Sequence, residues 1–252
     1  MFQIENFLNN DDIIVKEKKG PFSILEYKRD LSVSLLNAQQ VYYAEQMNIK
    51  KRQVLCEVGP ANVVTQSGAM QWTVGDVNAT TGVKGVGDLL TKSIRGKATG
   101  ESAIKPEYTG KGYLGLEPTY KHLFLIDVAD WNGAIVLSDG MFLACDAALK
   151  QKAIARSNVS SALLGNEGLF NLMLEGNGIV VCESCVPKNE LIEINLQNDV
   201  VKIDGNMAVA WSKSLEFTVE RSGKSLIGSA ASGEGLVNVY RGTGKVLMAP
   251  VL

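Results

Sequence analysis

Apolar and polar residues alternate with period two along much of this chain. Ile192, Ile194 and Leu196 interleave with Glu193, Asn195 and Gln197, and Leu215, Phe217 and Val219 with Glu216, Thr218 and Glu220. That period sends successive side chains to opposite faces of a strand and leaves one face wet. Glycine punctuates such runs at short intervals and proline is sparse, which predicts an all-β fold of many short strands: a sandwich, a barrel or a β-helix. One segment breaks the pattern. Over 35–47, Ala38, Val41, Tyr42 and Glu45 share a helical face, which predicts one short N-terminal helix of modest amphipathicity. A second short helix is expected near 146–151, and the glycine-rich stretch 75–98 reads as a long loop.

The pattern recurs at a fixed distance. Gly110-Lys-Gly112, Gly176-Asn-Gly178 and Gly242-Thr-Gly244 stand 66 residues apart, and the same offset aligns their flanks. Ile104, Phe170 and Leu236 correspond, as do Tyr108, Leu174 and Tyr240, then Leu114, Val180 and Val246, then Leu116, Cys182 and Met248. Each unit reads as a hairpin whose turn needs glycine at positive φ. Three such units predict a closed, pseudo-three-fold β domain over 51–252. Residues 1–50 are expected to supply N-terminal strands and the helix, packed on that domain as one compact unit.

The repeat filters the candidate chemistry. Cys182-Glu-Ser-Cys185 has redox or zinc spacing, but Cys182 occupies the slot that Leu116 and Met248 fill, which predicts a buried thiol. His122 is the single histidine, at an expected strand start, and excludes a multi-histidine metal site within one chain. Gly223-Lys-Ser225 lacks the upstream glycine of a phosphate loop, because position 218 is Thr218. The glycines from Gly82 to Gly87 lack dinucleotide-binding order. Glu101, Glu167 and Glu234 precede the three G-x-G motifs. Convergence on a pseudo-axis would make them a cation site; the simpler reading has them capping turns or pairing with lysines. No cofactor is implied.

Composition narrows the function classes. The 252 residues are 46% hydrophobic and 21% charged, ordinary for a globular protein. A net charge of −2 and a pI near 5.6 argue against phosphate backbones and anionic lipid as partners. The run Lys50-Lys51-Arg52 reads as a solvated face. Four dispersed cysteines are no disulfide framework. No apolar stretch approaches a membrane span, and the opening residues lack a basic, then apolar leader pattern; the expected location is cytoplasmic.

Several segments carry a resemblance: Gln66-Ser-Gly-Ala-Met-Gln-Trp72, Gly100-Glu-Ser-Ala-Ile-Lys-Pro-Glu-Tyr108, Asp139-Gly-Met-Phe-Leu-Ala144, Gly165-Asn-Glu-Gly-Leu-Phe170 and Ser232-Gly-Glu-Gly-Leu-Val-Asn-Val-Tyr-Arg-Gly-Thr-Gly244. From about Ala44 to Pro250 the chain resembles the mitochondrial-biogenesis family named for "altered inheritance of mitochondria" protein 24, whose bacterial members are of unknown function. The resemblance implies a double-stranded β-helix similar to that of the tryptophan RNA-binding attenuation protein, and it carries over no catalytic residue. Fungal relatives are linked to inner-membrane organisation. The expected function is a non-enzymatic scaffold or binding protein that assembles as a homo-oligomer, with a protein partner possible. The alternatives are a small-ligand or metal-binding enzyme using the mouth of the β-helix, and, by fold analogy, an RNA-binding regulator.

Overall fold

The computed structural model describes residues 2–81, 105–155, 170–221 and 236–251. The fold is all-β and barrel-like, with one short α-helix, and its strands form two sheets. The nine-stranded sheet contains β1 (Ile13–Lys19), β2 (Phe22–Tyr27), β3 (Arg52–Val58), β4 (Val63–Thr65), β5 (Met70–Thr80), β6 (Glu107–Leu116), β7 (His122–Asp127), β9 (Phe142–Asp146) and β12 (Ile179–Ser184). The seven-stranded sheet contains β8 (Ala134–Leu137), β10 (Lys150–Ala155), β11 (Phe170–Glu175), β13 (Ile192–Asp204), β14 (Ala208–Ser212), β15 (Glu216–Arg221) and β16 (Leu236–Met248). All the ladders between these strands are antiparallel.

The nine-stranded sheet runs in the order β1-β2-β3-β6-β4-β9-β12-β7, with β5 beside β6. Its two ends meet. Phe22 and Ile24 of β2 share one buried cluster with Leu125 of β7 and Val181 of β12, which an open flat sheet does not allow. The seam between β1 and β7 is closed by side chains instead of a ladder. Glu17 accepts the Leu125 amide at 3.1 Å, and Lys19 pairs with Asp127 at 3.0 Å. The first of these satisfies an edge amide of β7 that would otherwise stand unpaired. A second cluster, with Phe124, Ile135, Phe142, Cys182 and Leu247, lies between the two sheets. A third, with Trp211 and Tyr240, packs on the seven-stranded sheet alone.

The G-x-G motifs are not hairpin turns. Gly110 and Gly112 lie inside β6, and Gly242 and Gly244 inside β16; Gly176–Gly178 joins β11 of one sheet to β12 of the other. At each motif the chain exchanges neighbours on one side: β4 for β3 along β6, β15 for β14 along β16. The first glycine makes the bend, with φ of 107°, 127° and 121° at Gly110, Gly176 and Gly242. The second allows close approach. A Cβ on Gly112 would stand 2.0 Å from the Val74 carbonyl oxygen, and one on Gly244 would stand 2.8 Å from Ser212 Cβ. The residue after it is tied down by a side chain in two of the three cases: Ile179 donates its amide to Asp146 Oδ2 at 2.6 Å, and Lys245 to Ser212 Oγ at 3.0 Å. The strands β9, β10 and β11 each start 66 residues before β14, β15 and β16. The corresponding positions Leu114, Val180 and Val246 are all fully buried.

Two further expectations are corrected. Asp146 ends β9, residues 147–149 form a turn in which Leu149 donates to the Asp146 carbonyl, and β10 begins at Lys150. Pairing with β11 overrides the helix propensity of Ala147, Ala148 and Leu149. The expected loop from 75 begins as strand: β5 runs to Thr80, which pairs with Glu107 of β6. The remainder of that stretch, with Gly82–Gly87, lies outside the described residues.

Candidate functional site

The chain leaves the nine-stranded sheet after β2 and returns at β3, its antiparallel neighbour, with Glu26 opposite Arg52. Residues 28–51 therefore form an arm on a hairpin base, closed by the Tyr27 amide donating to the Lys51 carbonyl at 2.9 Å. The arm holds helix α1 (Ala38–Gln46), and not one residue of that helix is buried. Its apolar side chains face outward: Leu31, Leu35, Leu36, Tyr42, Tyr43, Met47 and Ile49 range from 46% to 93% exposed. Scattered exposed leucines are ordinary; seven large apolar side chains exposed within one short stretch are not.

Polar contacts hold the arm in place. Arg52 and Glu26 are each 4% exposed and pair at 3.0 Å. The remaining guanidinium donors reach the Asn48 carbonyl at 3.0 Å, its Oδ1 at 2.9 Å and the Lys50 carbonyl at 3.2 Å. One arginine thus joins the hairpin base to the helix end, a use of its fork that lysine cannot match. Gln53 continues the network, accepting from Tyr27 and donating to the Leu116 carbonyl at 2.7 Å.

A second set of contacts centres on Asp30. Its carboxylate accepts from Lys51 at 2.8 Å, from Ser32 and from the Tyr120 hydroxyl, and its amide donates to Glu45 of the helix at 2.9 Å. Partial burial works against the Asp30 charge, but the bonds from Lys51, Ser32 and Tyr120 outweigh it and hold the carboxyl well below the usual range. The same contact pushes the Tyr120 hydroxyl up to about 12. Arg29 pairs with Asp12 through two bonds of 2.8 Å. His122 opens β7 nearby, half-buried; burial first, then Arg52, lowers its pKa and keeps the ring neutral.

The run Lys50-Lys51-Arg52 is therefore not a solvated face: Arg52 is buried and Lys51 is engaged with Asp30. Part of the signal was available, because Arg52, unlike Lys50 and Lys51, stands two residues before the apolar run Val54-Leu55-Cys56 of β3.

The other predicted positions fall elsewhere. Glu101, Glu167 and Glu234 lie outside the described residues, as does Gly223-Lys-Ser225. Among the described residues, no three His, Cys, Asp or Glu side chains gather closely enough to hold a metal ion. Cys182 is fully buried in the core between the sheets while Cys185 is exposed, so the C-x-x-C spans two environments. Cys185 lines a cavity of about 330 Å³ with Lys121, Asp139, Glu183 and Asn206 over an apolar floor that includes Met141 and Val209. Lys121 is paired with Glu183 at 3.2 Å on its wall. Trp131 and Trp211 are core residues, and Trp72 lies over Gly115 in a T-shaped contact with Phe7. No helix among the described residues is long and apolar enough to cross a membrane.

Comparison with known proteins places the chain. An uncharacterised protein of Streptococcus pyogenes serotype M6 is 30% identical over 193 residues, covering 73% of this chain and 75% of that protein. The crystal structure of a Streptococcus pyogenes protein solved by a structural-genomics consortium matches with a TM-score of 0.60 and 27% identity, over 81% of this chain and 90% of that one. The sequence profile of the mitochondrial biogenesis AIM24 family matches residues 45–251. The chain belongs to the mitochondrial biogenesis AIM24 family.

Proposed function

We propose that this protein is a non-enzymatic scaffold or binding protein, which presents the arm 28–51 to a protein partner and works as part of an assembly. The carrying observation is the combination of an exposed apolar helix with a buried polar clamp beneath it. An arm free to move would bury its own apolar residues against the barrel; a held arm keeps them available. Leucine, tyrosine and methionine on a rigid support suit protein contact, where large side chains dominate the binding energy.

In-cell cross-linking with an amine-reactive reagent, read by mass spectrometry, tests this. Cross-links to protein from Lys28 and Lys50, at the two ends of the arm, are expected. Intermolecular cross-links confined to lysines away from the arm, such as Lys152 and Lys202, would overturn it.

A second reading, a small-ligand binder, has one observation in its favour. The cavity beside Cys185 combines an apolar floor with a few polar groups, and its size falls in the range of small-molecule sites. A metabolite screen by thermal shift, with Val209→Trp filling the cavity as control, tests that reading.

A further inference from the structure

We infer that the partner of the arm is a second copy of this chain, two arms meeting face to face about a two-fold axis; this rests on the reading of the arm as a protein-binding surface.

Area is the first argument. The seven outward-facing side chains expose on the order of 900 Å², against the ~800 Å² that each partner gives to a standard-size interface. The arm alone supplies a dimer's worth of surface, and most of it is apolar, as in homodimer interfaces.

Charge is the second argument. Glu45 is the one charged residue of α1, and it is occupied by the Asp30 amide. Of the basic residues at the two ends of the arm, Arg29 is paired with Asp12, Lys51 with Asp30, Lys28 with the Asp11 carbonyl, and Lys50 lies 3.9 Å from Glu26. Two copies can therefore approach without bringing like charges together, a requirement peculiar to a surface that must complement itself. A lipid surface calls for Lys or Arg on the polar face of the helix, and α1 has neither.

Shape is the third argument. Leu35 and Leu36 precede the helix, while Tyr42 and Tyr43, in an edge-to-face pair with ring centroids 5.4 Å apart, lie within it. An isologous contact pairs one end of a patch with the other end of its copy. The tyrosine pair is central, with Leu31, Leu35 and Leu36 before it and Met47 and Ile49 after it, so the rings of two copies can meet near the axis while the aliphatic ends pack on each other.

Light scattering on the eluting full-length protein tests the inference, with wild type, Leu35→Glu, Tyr43→Glu and Tyr43→Phe at micromolar concentration. Wild type and Tyr43→Phe are expected to elute as dimers. The two Glu variants should elute as monomers with unchanged far-ultraviolet circular dichroism, their dissociation constants raised at least 100-fold. A monomeric wild type overturns the inference, and so does a dimer that survives both Glu substitutions. Neither result touches the broader reading, which the cross-linking experiment judges: a monomer cross-linked through Lys50 to another protein leaves the arm a binding surface and removes only the second copy. Flotation of a monomeric wild type with vesicles of phosphatidylglycerol would assign the arm to lipid and overturn the inference.

Discussion

Replacing Arg52 by Met tests the clamp beneath the arm. The substitution keeps an apolar stem of similar length and removes every donor. Glu26, 5% exposed at its side chain, then loses its nearest partner at 3.0 Å. Breaking a buried pair in this way costs about 3–5 kcal/mol, since the remaining charge stays desolvated. Lys16 at 3.5 Å and Lys50 at 3.9 Å soften the loss, so the expected cost is at the lower end, about 3 kcal/mol. Replacing Glu26 as well removes the stranded carboxylate, and Glu26→Met/Arg52→Met should recover about 2 kcal/mol of that loss. Urea denaturation of the four proteins of the cycle gives the coupling. Single-variant losses that add to within about 0.5 kcal/mol would refute the pair as a unit. Hydrogen exchange separates the second role of Arg52. Amides of Met47, Asn48 and Ile49 close the helix end, and Arg52 holds the Asn48 carbonyl behind them. Their protection should fall at least tenfold in both Arg52 variants, including the restabilised double variant. Unchanged protection there would show that the arm is held by other contacts.

Three further outcomes follow from the geometry. Gly110→Ala places a Cβ 2.0 Å from the Asp76 carbonyl oxygen at a φ of 107° and should cost 3 kcal/mol or more, roughly; Gly205→Asn, at a φ of 53° with open space around it, should stay within about 1 kcal/mol by the same denaturation assay. Ellman's reagent should titrate one thiol, Cys185, in the native protein, with Cys56, Cys145 and Cys182 reacting only on unfolding; burial pushes the Cys145 thiol up to about 12 and the Cys56 thiol higher still. Burial raises the Asp146 pKa, and among the described residues its Oδ1 has no hydrogen-bond partner, so Asp146→Ser, the residue at the matching position 212, should stabilise the protein by about 1 kcal/mol at pH 7. The sign fixes the pH dependence: a carboxyl with a raised folded pKa favours folding below its unfolded value near 4 and loses that contribution as pH rises through the folded value. The advantage of Asp146→Ser should therefore shrink on acidification, and an advantage that grows toward pH 4 would contradict the assignment.

The strand positions were legible where glycine and apolar spacing recur together. Leu114, Val180 and Val246 were matched by offset alone, and all three are fully buried. The pairing was not legible, because a glycine at positive φ reads the same whether the chain reverses or bends. Gly110 sits within β6 instead of ending a hairpin because β5 runs alongside both halves of the strand, a non-local fact. The helix near 146–151 failed for a related reason: Asp146 is committed to the Ile179 amide on a distant strand, and local propensity yields to that contact. The helix predicted over 35–47 exists as Ala38–Gln46, and its modest amphipathicity matches a helix that buries none of its residues. The clamp was legible only in part: the apolar run after Arg52 marks it as strand-borne, but its partner Glu26 is set by the pairing of β2 with β3.

The clamp and the exposed helix are two sides of one constraint. A helix is ordinarily fixed to its domain by burying an apolar stripe, and a helix fixed that way has spent its apolar side chains. Here the fixing is transferred to backbone acceptors and carboxylates: Arg52 holds the Asn48 carbonyl, Glu45 holds the Asp30 amide, and Asp30 is held by Lys51 and Tyr120. None of these bonds uses Leu35, Leu36, Tyr42, Tyr43 or Met47, so the apolar set stays outside. Such an arrangement costs stability twice, in desolvated charges below and in wet hydrocarbon above. Ordering the arm before contact also removes an entropic cost from the binding step, which is where a surface of this size gains affinity. The two costs and that gain make sense together only when the arm is covered by something, and the pairing of its charges within the chain points to a surface like itself.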